Sequence, residues 1–295
     1  MDVFLQQTFN GLALGAAYAV FAVGFTLLFG VLNVLNLAQG SIFMIGGIVG
    51  LELVRLVDLP LPAALVLAMV ATGALSVLTQ IAVFGPLERR GGNRWMGLVA
   101  SLALARLFVA LAQEIFGTQV LRFPAEAWME TVWTIGNVRI QTLQIIVVVT
   151  ALTLMAALAV LLRGTQTGRA IRTMAFNPQV AMLVGVPVGR LTLLVYFISG
   201  SLAGAAGVQL GILYNAVSPF MGEMILLKGL TVLIVGGLGH VPGAALAGVL
   251  LGLTEVYSVG YLSSSFREAI GFGVVFAVLL LRPTGLFGAA VRQRA

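Results

Sequence analysis

The sequence predicts an all-α, polytopic integral membrane protein, and three observations carry that prediction. Hydrophobic residues make up 60% of the chain and charged residues 9%, against roughly 45–50% and about 25% in soluble domains. With a mean hydropathy of +1.09, there are too few charges to cover a water-facing surface. Apolar runs near 20 residues recur along the chain, the length a helix needs to cross a hydrocarbon core about 30 Å thick. Basic residues gather in a few connecting segments, as they do beside membrane spans, rather than striping one module as they would for nucleic acid.

The 295 residues leave room for about eight to ten crossings in a single transmembrane domain, 1–295. The opening "MDVFLQQTFN" has no basic stretch, so the first apolar run is expected to be a retained span rather than a cleaved signal. Spans are expected over Phe9–Val31, Ser41–Val57, Leu61–Phe84, Trp95–Phe116, Leu143–Leu162 and Leu191–Leu213. Beyond them lie three shorter pieces, Met224–Gly239, Gly243–Val259 and Ala269–Leu281. A 16-residue helix reaches only about 24 Å, so broken, tilted or re-entrant helices are expected there.

Ten of the sixteen basic residues fall in three segments: Arg89, Arg90 and Arg94; Arg163, Arg169, Arg172 and Arg190; and Arg282, Arg292 and Arg294. The positive-inside tendency puts these on the cytoplasmic side. Three spans precede the first of them, so the N-terminus is expected outside and the C-terminus inside, with nine passes by parity. Residues 117–141 then form an outer loop, where Trp128 and Trp133 fit an interfacial belt.

Glycine pairs at i, i+4 (Gly11 and Gly15, Gly200 and Gly204, Gly207 and Gly211, Gly248 and Gly252) predict close helix packing, since lipid supplies no hydrophobic drive for association. Two clusters instead break helices: "NVLNLAQGS" over Asn33–Ser41 and "GGLGHVPG" over Gly236–Gly243. Irregular backbone at membrane depth survives only when buried in protein or lining a wet cavity, and such breaks often border a transport route. The route candidates are Asn33, Asn36, Gln39, Gly236, Gly237 and Gly239.

Charges within spans are the other candidates. Arg106 lies mid-span, where lipid exposure costs roughly 2.5–3.5 kcal/mol on insertion scales, so it is expected to face the bundle interior, a partner subunit or water. Lys228 and Glu255 lie nearer the ends of short helices, where snorkelling is the simplest account. Glu52 and Arg55 are spaced for a rim ion pair. The chain has no cysteine, one histidine (His240) and one lysine without a phosphate-loop context, so it offers no thiolate, zinc or haem cluster and no ATPase motif.

The segment "TGRAIRTMAFNPQVAMLVGVPVGRL", Thr167–Leu191, reads as two short helices within a cytoplasmic loop, 163–190. Thr167 is expected to cap the first, and Asn177 the second with Pro178 at its first position. Gly185 ends the second, and Pro187 forbids its resumption. Val180, Leu183 and Val184 then form an apolar face suited to a groove on another protein.

This segment resembles the cytoplasmic coupling loop of the branched-chain amino acid ABC importer permeases. "NVLNLAQGSIFMIGG", "KGLTVLIVGGLGHVPGAALAGVLLGLTE" and "RPTGLFG" resemble three further segments of that family, in order along nearly the whole chain. Gln39 stands where the family often has histidine, and His240 where it usually has serine or asparagine; Arg106 replaces an apolar or amide residue. The resemblance implies a non-catalytic permease subunit of a bacterial or archaeal inner membrane. It implies a second homologous permease or a second copy, two cytoplasmic ABC ATPases that hold ATP and Mg²⁺, and an extracytoplasmic substrate-binding protein. No cofactor or metal is implied in this chain, and no nucleic acid. Arg169 and Arg172 would then hold the ATPase surface, with Asn177, Pro178, Ala181 and Gly185 shaping the coupling helix. Arg106, Lys228 and Glu255 would join the translocation pathway. Two competing expectations remain: a sister branch carrying urea or amides, and an ion-coupled secondary transporter, which would need intramembrane carboxylates and has only Glu114 and Glu255 to use.

Overall fold

A computed structural model describes residues 2–124, 132–135, 138–263, 267–282 and 285–287. The order is α1 (Asp2–Leu32), α2 (Gln39–Val57), α3 (Leu61–Thr79), a π-helical turn (Gln80–Phe84), α4 (Gly85–Arg89), α5 (Arg94–Phe116), β1 (Val132–Ile135), β2 (Val138–Gln141) and α6 (Thr142–Gly164). It continues through α7 (Gln166–Phe176), α8 (Pro178–Leu183), α9 (Val188–Tyr214), α10 (Met221–Gly236), α11 (Val241–Tyr261) and α12 (Arg267–Leu281). Among the described residues, seven helical stretches are long and apolar enough to cross a membrane: Val3–Leu32, Gln39–Val57, Leu61–Arg89, Trp95–Phe116, Thr142–Gly164, Val188–Tyr214 and Val241–Tyr261. The chain is an all-α, multi-pass membrane protein.

The last third departs from expectation at one element. The α11 helix runs 21 residues, a full crossing, because Pro242 sits in its first turn and its start is capped by the His240 imidazole. Its two neighbours in the last third, α10 and α12, are short, at 16 and 15 residues.

The centre of the bundle is α1, 89% buried over its apolar window. It runs antiparallel along α11, where Gly11, Gly15 and Ala19 face Leu253, Val249 and Gly248. A Cβ on Gly15 would stand 2.8 Å from Val249 Cα, and one on Gly248 would stand 2.6 Å from Ala19 Cα. A second crossing joins α2, α3 and α9. There a Cβ on Gly46 would overlap the Gly204 backbone, and one on Gly204 would overlap the Thr72 side chain. The i, i+4 glycines are packing surfaces, as their spacing predicts.

Three features lie outside the sequence reading. The α3 helix reaches α4 through a π turn in which Gly85 N–H bonds to Gln80 O, a bulge that turns Phe84 onto Tyr196 at 5.9 Å between ring centroids. The segment between α5 and α6 holds an antiparallel hairpin pairing Trp133 with Ile140. Gln6 of α1 grips its edge, donating to Arg139 O and accepting from Arg139 N–H, both at 2.8 Å. The cap of α7 is Thr165, whose Oγ1 accepts from Gly168 N–H at 3.0 Å; Thr167 instead lies within the helix. Trp128, Glu126 and Glu130 lie outside the described residues, as do Arg292 and Arg294.

Candidate translocation site and coupling surface

Three elements bring charge into the bundle. Lys228 projects from the middle of α10, Glu255 from α11 and Arg267 from the first position of α12. Lys228 Nζ donates to Glu255 Oε1 at 2.6 Å and to the Tyr18 hydroxyl of α1 at 2.8 Å. Arg267 Nε pairs with the same Glu255 oxygen, while its Nη2 donates to the Tyr214 hydroxyl at the end of α9. Glu255 is 3% exposed, so its charge relies on these two cations in place of water. The aromatic rings add a second contact: Lys228 Nζ lies 5.0 Å from the Tyr18 centroid and Arg267 Cζ 5.6 Å from that of Tyr214. Lys228 therefore turns inward to a partner instead of snorkelling along the helix.

A second polar zone forms where α1 breaks. Asn33 adopts the left-handed region at φ +56°, which asparagine tolerates better than most residues, and the chain stays non-helical to Ala38. Its backbone is satisfied locally: Asn36 Oδ1 accepts from Ala38 N–H at 3.1 Å, and Ser101 Oγ of α5 accepts from Leu37 N–H at 3.1 Å. Gln39 Nε2 donates to both the carbonyl and the hydroxyl of Ser199 at 2.9 Å. Ser199 is well inside α9, so the Gln39 end of this break lies beside the interior of α9, while Asn33 directly follows the end of α1. Asn36 and Gln39 are fully buried and Asn33 is exposed. Asn36 Nδ2 and Gln39 Oε1 have no hydrogen-bond partner among the described residues.

The other glycine cluster sits elsewhere. Gly237 and Gly239 take φ of +97° and +80°, and Gly239 packs on Gly30, two residues before the end of α1. This is a turn at the bundle's end, unlike the mid-depth break its composition suggests. His240 caps α11 through Nδ1 (3.0 Å from Gly243 N) and stacks on Phe287 at 5.8 Å. Leu286 N–H bonds to Val235 O at 2.8 Å, so the C-terminal segment seals the turn.

Arg106 faces the side of the bundle with 68% of its side chain exposed, paired with Glu223 of α10, itself 50% exposed. The Glu52–Arg55 pair expected from spacing is not among the ion pairs of the described residues.

The coupling segment forms at the end where α4 and α6 finish. Asn177 Oδ1 accepts from Gln179 N–H and Val180 N–H at 2.9 and 3.2 Å, Pro178 follows, and Gly185 turns at φ +82°. One side of α7, Gly168, Ile171 and Met174, is buried against α6, α1 and α9. Arg169 and Arg172 are exposed, as are Phe176 (85%), Leu183 (86%) and Val184 (67%). Ala181 is fully buried and part of the core, facing away from the outer surface of α8.

Residues 7–281 match the family model described as "Branched-chain amino acid transport system / permease component". The chain belongs to this permease family. The permease is 30% identical over 304 residues to the Escherichia coli K12 protein named "High-affinity branched-chain amino acid transport system permease protein LivH", covering 97% of this chain and 96% of that one. It is 29% identical over 294 residues to the Pseudomonas aeruginosa protein of the same description named BraD, with the same coverage. In fold it resembles a solved structure titled "An inward-facing conformation of a putative metal-chelate type ABC transporter", at TM-score 0.53 and 20% identity, over 95% of this chain and 88% of that one. The permease thus shares the fold of that structure.

Within the permease the sequence-selected residues separate into distinct places. Lys228 and Glu255 meet directly; Asn36 and Gln39 sit together at the α1–α2 break; Arg106 stands on a lateral face. Sequence reasoning does not single out Arg267, Tyr18 or Tyr214. Nothing in local spacing marks them, since Tyr18 and Lys228 are 210 positions apart.

Proposed function

We propose that this permease is one membrane half of an ABC importer that moves branched-chain amino acids into the cell. The observation that carries the reading is the coupling segment: an exposed apolar α8 surface joined through α7 to the buried α1. A push on α8 reaches the centre of the bundle because Ile171 and Met174, each 1% exposed, leave no slack between α7 and its neighbours. In this scheme the basic end is cytoplasmic and the N-terminus outside. One ATPase subunit holding ATP and Mg²⁺ docks on Phe176, Val180, Leu183 and Val184, with Arg169 and Arg172 at the rim, and a second docks on the other permease half. An extracytoplasmic binding protein delivers solute to the opposite end.

Because α1 fills the centre, the route runs along an edge of the bundle and is completed by a second permease chain. Arg106 and Glu223 support an edge on the α5–α10 side, since neither charge is suited to lipid. Arg106→Leu is expected to leave the chain inserted but to cut permease pairing and uptake at least fivefold, read by co-purification of differently tagged copies. Unchanged pairing and uptake would move the shared edge elsewhere.

The decisive test of the function is leucine uptake by vesicles holding the complete transporter, with ATP and no ion gradient. Uptake driven by a proton gradient without any ATPase would establish the ion-coupled alternative instead. Orientation is checked with single thiols, for which the cysteine-free chain gives no background. Arg172→Cys is expected to react only from the cytoplasmic side.

A further inference from the structure

The Lys228–Glu255–Arg267 cluster stands where three cavities meet. One, of about 260 Å³, carries three amides, Gln7, Asn10 and Gln144 near the N-terminal end of α1, together with Tyr214, Glu255 and Arg267 and an aliphatic wall of Leu14, Leu213, Val256 and Val259. A second, also about 260 Å³, is largely apolar, lined by Phe43, Leu210, Met221, Met224 and Ile225, and shares its wall with Tyr18, Tyr214, Lys228, Arg267 and Glu268. A third, of about 210 Å³, lies between α10 and α12 and touches all three charged residues. Arg267 borders every one of them. The ion pairs therefore form a partition between an amide-bearing vestibule and a more apolar chamber, each below the roughly 300–1,000 Å³ of drug-sized pockets.

The charge count of this partition is uneven. Lys228 and Arg267 both pair with one carboxylate oxygen of Glu255, which leaves one cation in surplus among the three. Glu268 and Glu223, both exposed, stand at the cavity mouths and supply the nearest further negative charge. Separating Glu255 from its cations without replacement would strand a buried carboxylate, which is strongly unfavourable. A neutral solute such as urea, an amide or a sugar offers no replacement. A zwitterion offers both charges at once.

We propose that this cluster is an exchangeable ion-pair site for the α-amino and α-carboxylate groups of a free aliphatic amino acid, a reading that rests on the amino-acid import function above. The ammonium group replaces a cation on Glu255, and the carboxylate takes the released Lys228 together with Arg267. Every charge stays paired while the partition opens. The aliphatic side chain then rests against Phe43, Leu210, Met221, Met224 and Ile225. The site selects the solute's zwitterionic head, separately from whatever the binding protein selects outside.

The test uses the complete transporter in ATP-loaded vesicles, a leucine analogue carrying a side-chain diazirine, and radiolabelled leucine. Illumination during turnover is expected to label peptides from Phe43, Leu210 or Met221–Ile225, with excess leucine removing the label. Lys228→Met leaves Glu255 and Arg267 as a neutral pair, so a purely structural role predicts normal assembly and normal uptake. The proposal predicts normal assembly with at least tenfold less protected label and uptake, partly restored in Lys228→Arg. Wild-type uptake of leucine with protected label only on other segments would overturn the site while leaving the import function standing, and so would full uptake by Lys228→Met. Should Lys228→Met fail to assemble, the wild-type labelling map decides alone. Absence of any ATP-driven leucine uptake by the wild type would remove the import reading and this site with it.

Discussion

A Gly204→Leu chain is expected to lose its folded state in the membrane. Gly204 stands where α2 and α3 both cross α9: Gly46 lies against its backbone, and any Cβ would overlap the Thr72 side chain. Neither obstacle is a flexible side-chain tip, so the helices must separate; overpacking typically costs about 1–3 kcal/mol, and a leucine at this crossing belongs at the upper end. Gly273→Ala supplies the control. Gly273 is an exposed residue of α12 with nothing within 4 Å of an added Cβ. There the change should be neutral or stabilising by up to about 1 kcal/mol, because alanine is the better helix former. Thermal unfolding of the two proteins in detergent, followed by size-exclusion fluorescence, measures both. Equal midpoints for Gly204→Leu and wild type would show that the α2–α3–α9 crossing is not the tight point of the fold.

Phe176→Asp combined with Leu183→Asp should uncouple the transporter. Both side chains are more than four-fifths exposed, so the pair is expected to leave insertion and thermal stability unchanged. On docking, each buried aromatic or leucine contributes about 1.5–3 kcal/mol. Losing both therefore weakens ATPase association by roughly a hundredfold or more. Uptake should fall by at least tenfold, with the ATPase recovered free of the permease on affinity purification. Retained ATPase binding and uptake would place the docking surface elsewhere on the basic end. Asn177→Ala is the milder companion: it removes the cap of α8, worth about 1 kcal/mol, and should weaken coupling without abolishing it.

The spans were legible because lipid imposes a single rule on composition and length, and Phe9–Val31 or Trp95–Phe116 satisfy it without reference to any neighbour. The Asn177–Pro178–Gly185 signals were legible for a related reason, since capping is decided within a turn. The break at Asn33–Ala38 combined both kinds of signal. What stayed hidden depends on distance along the chain. Arg106 and Glu223 are 117 positions apart, and Glu255 draws its partners from α10 and α12. Only the fold says that these helices are neighbours. Gly236–Gly239 resembled a mid-depth break because glycine content reports turn formation and not depth. Ala181 was grouped with the docking residues on the strength of its position in the motif, and α8 turns it inward.

The central placing of α1 bears on how the protein is made. Its close neighbours α9 and α11 begin only at Val188 and Val241, so at ordinary synthesis rates the first helix waits on the order of ten to forty seconds for them. Through that interval the small-residue faces at Gly11, Gly15 and Gly24, which later meet Leu253, Val249 and Leu202, have only lipid or the insertion machinery to face. Biogenesis of this chain therefore depends on guarding its earliest segment until its latest ones arrive, and lesions in α11 should surface as degradation of chains whose N-terminal half is unaltered.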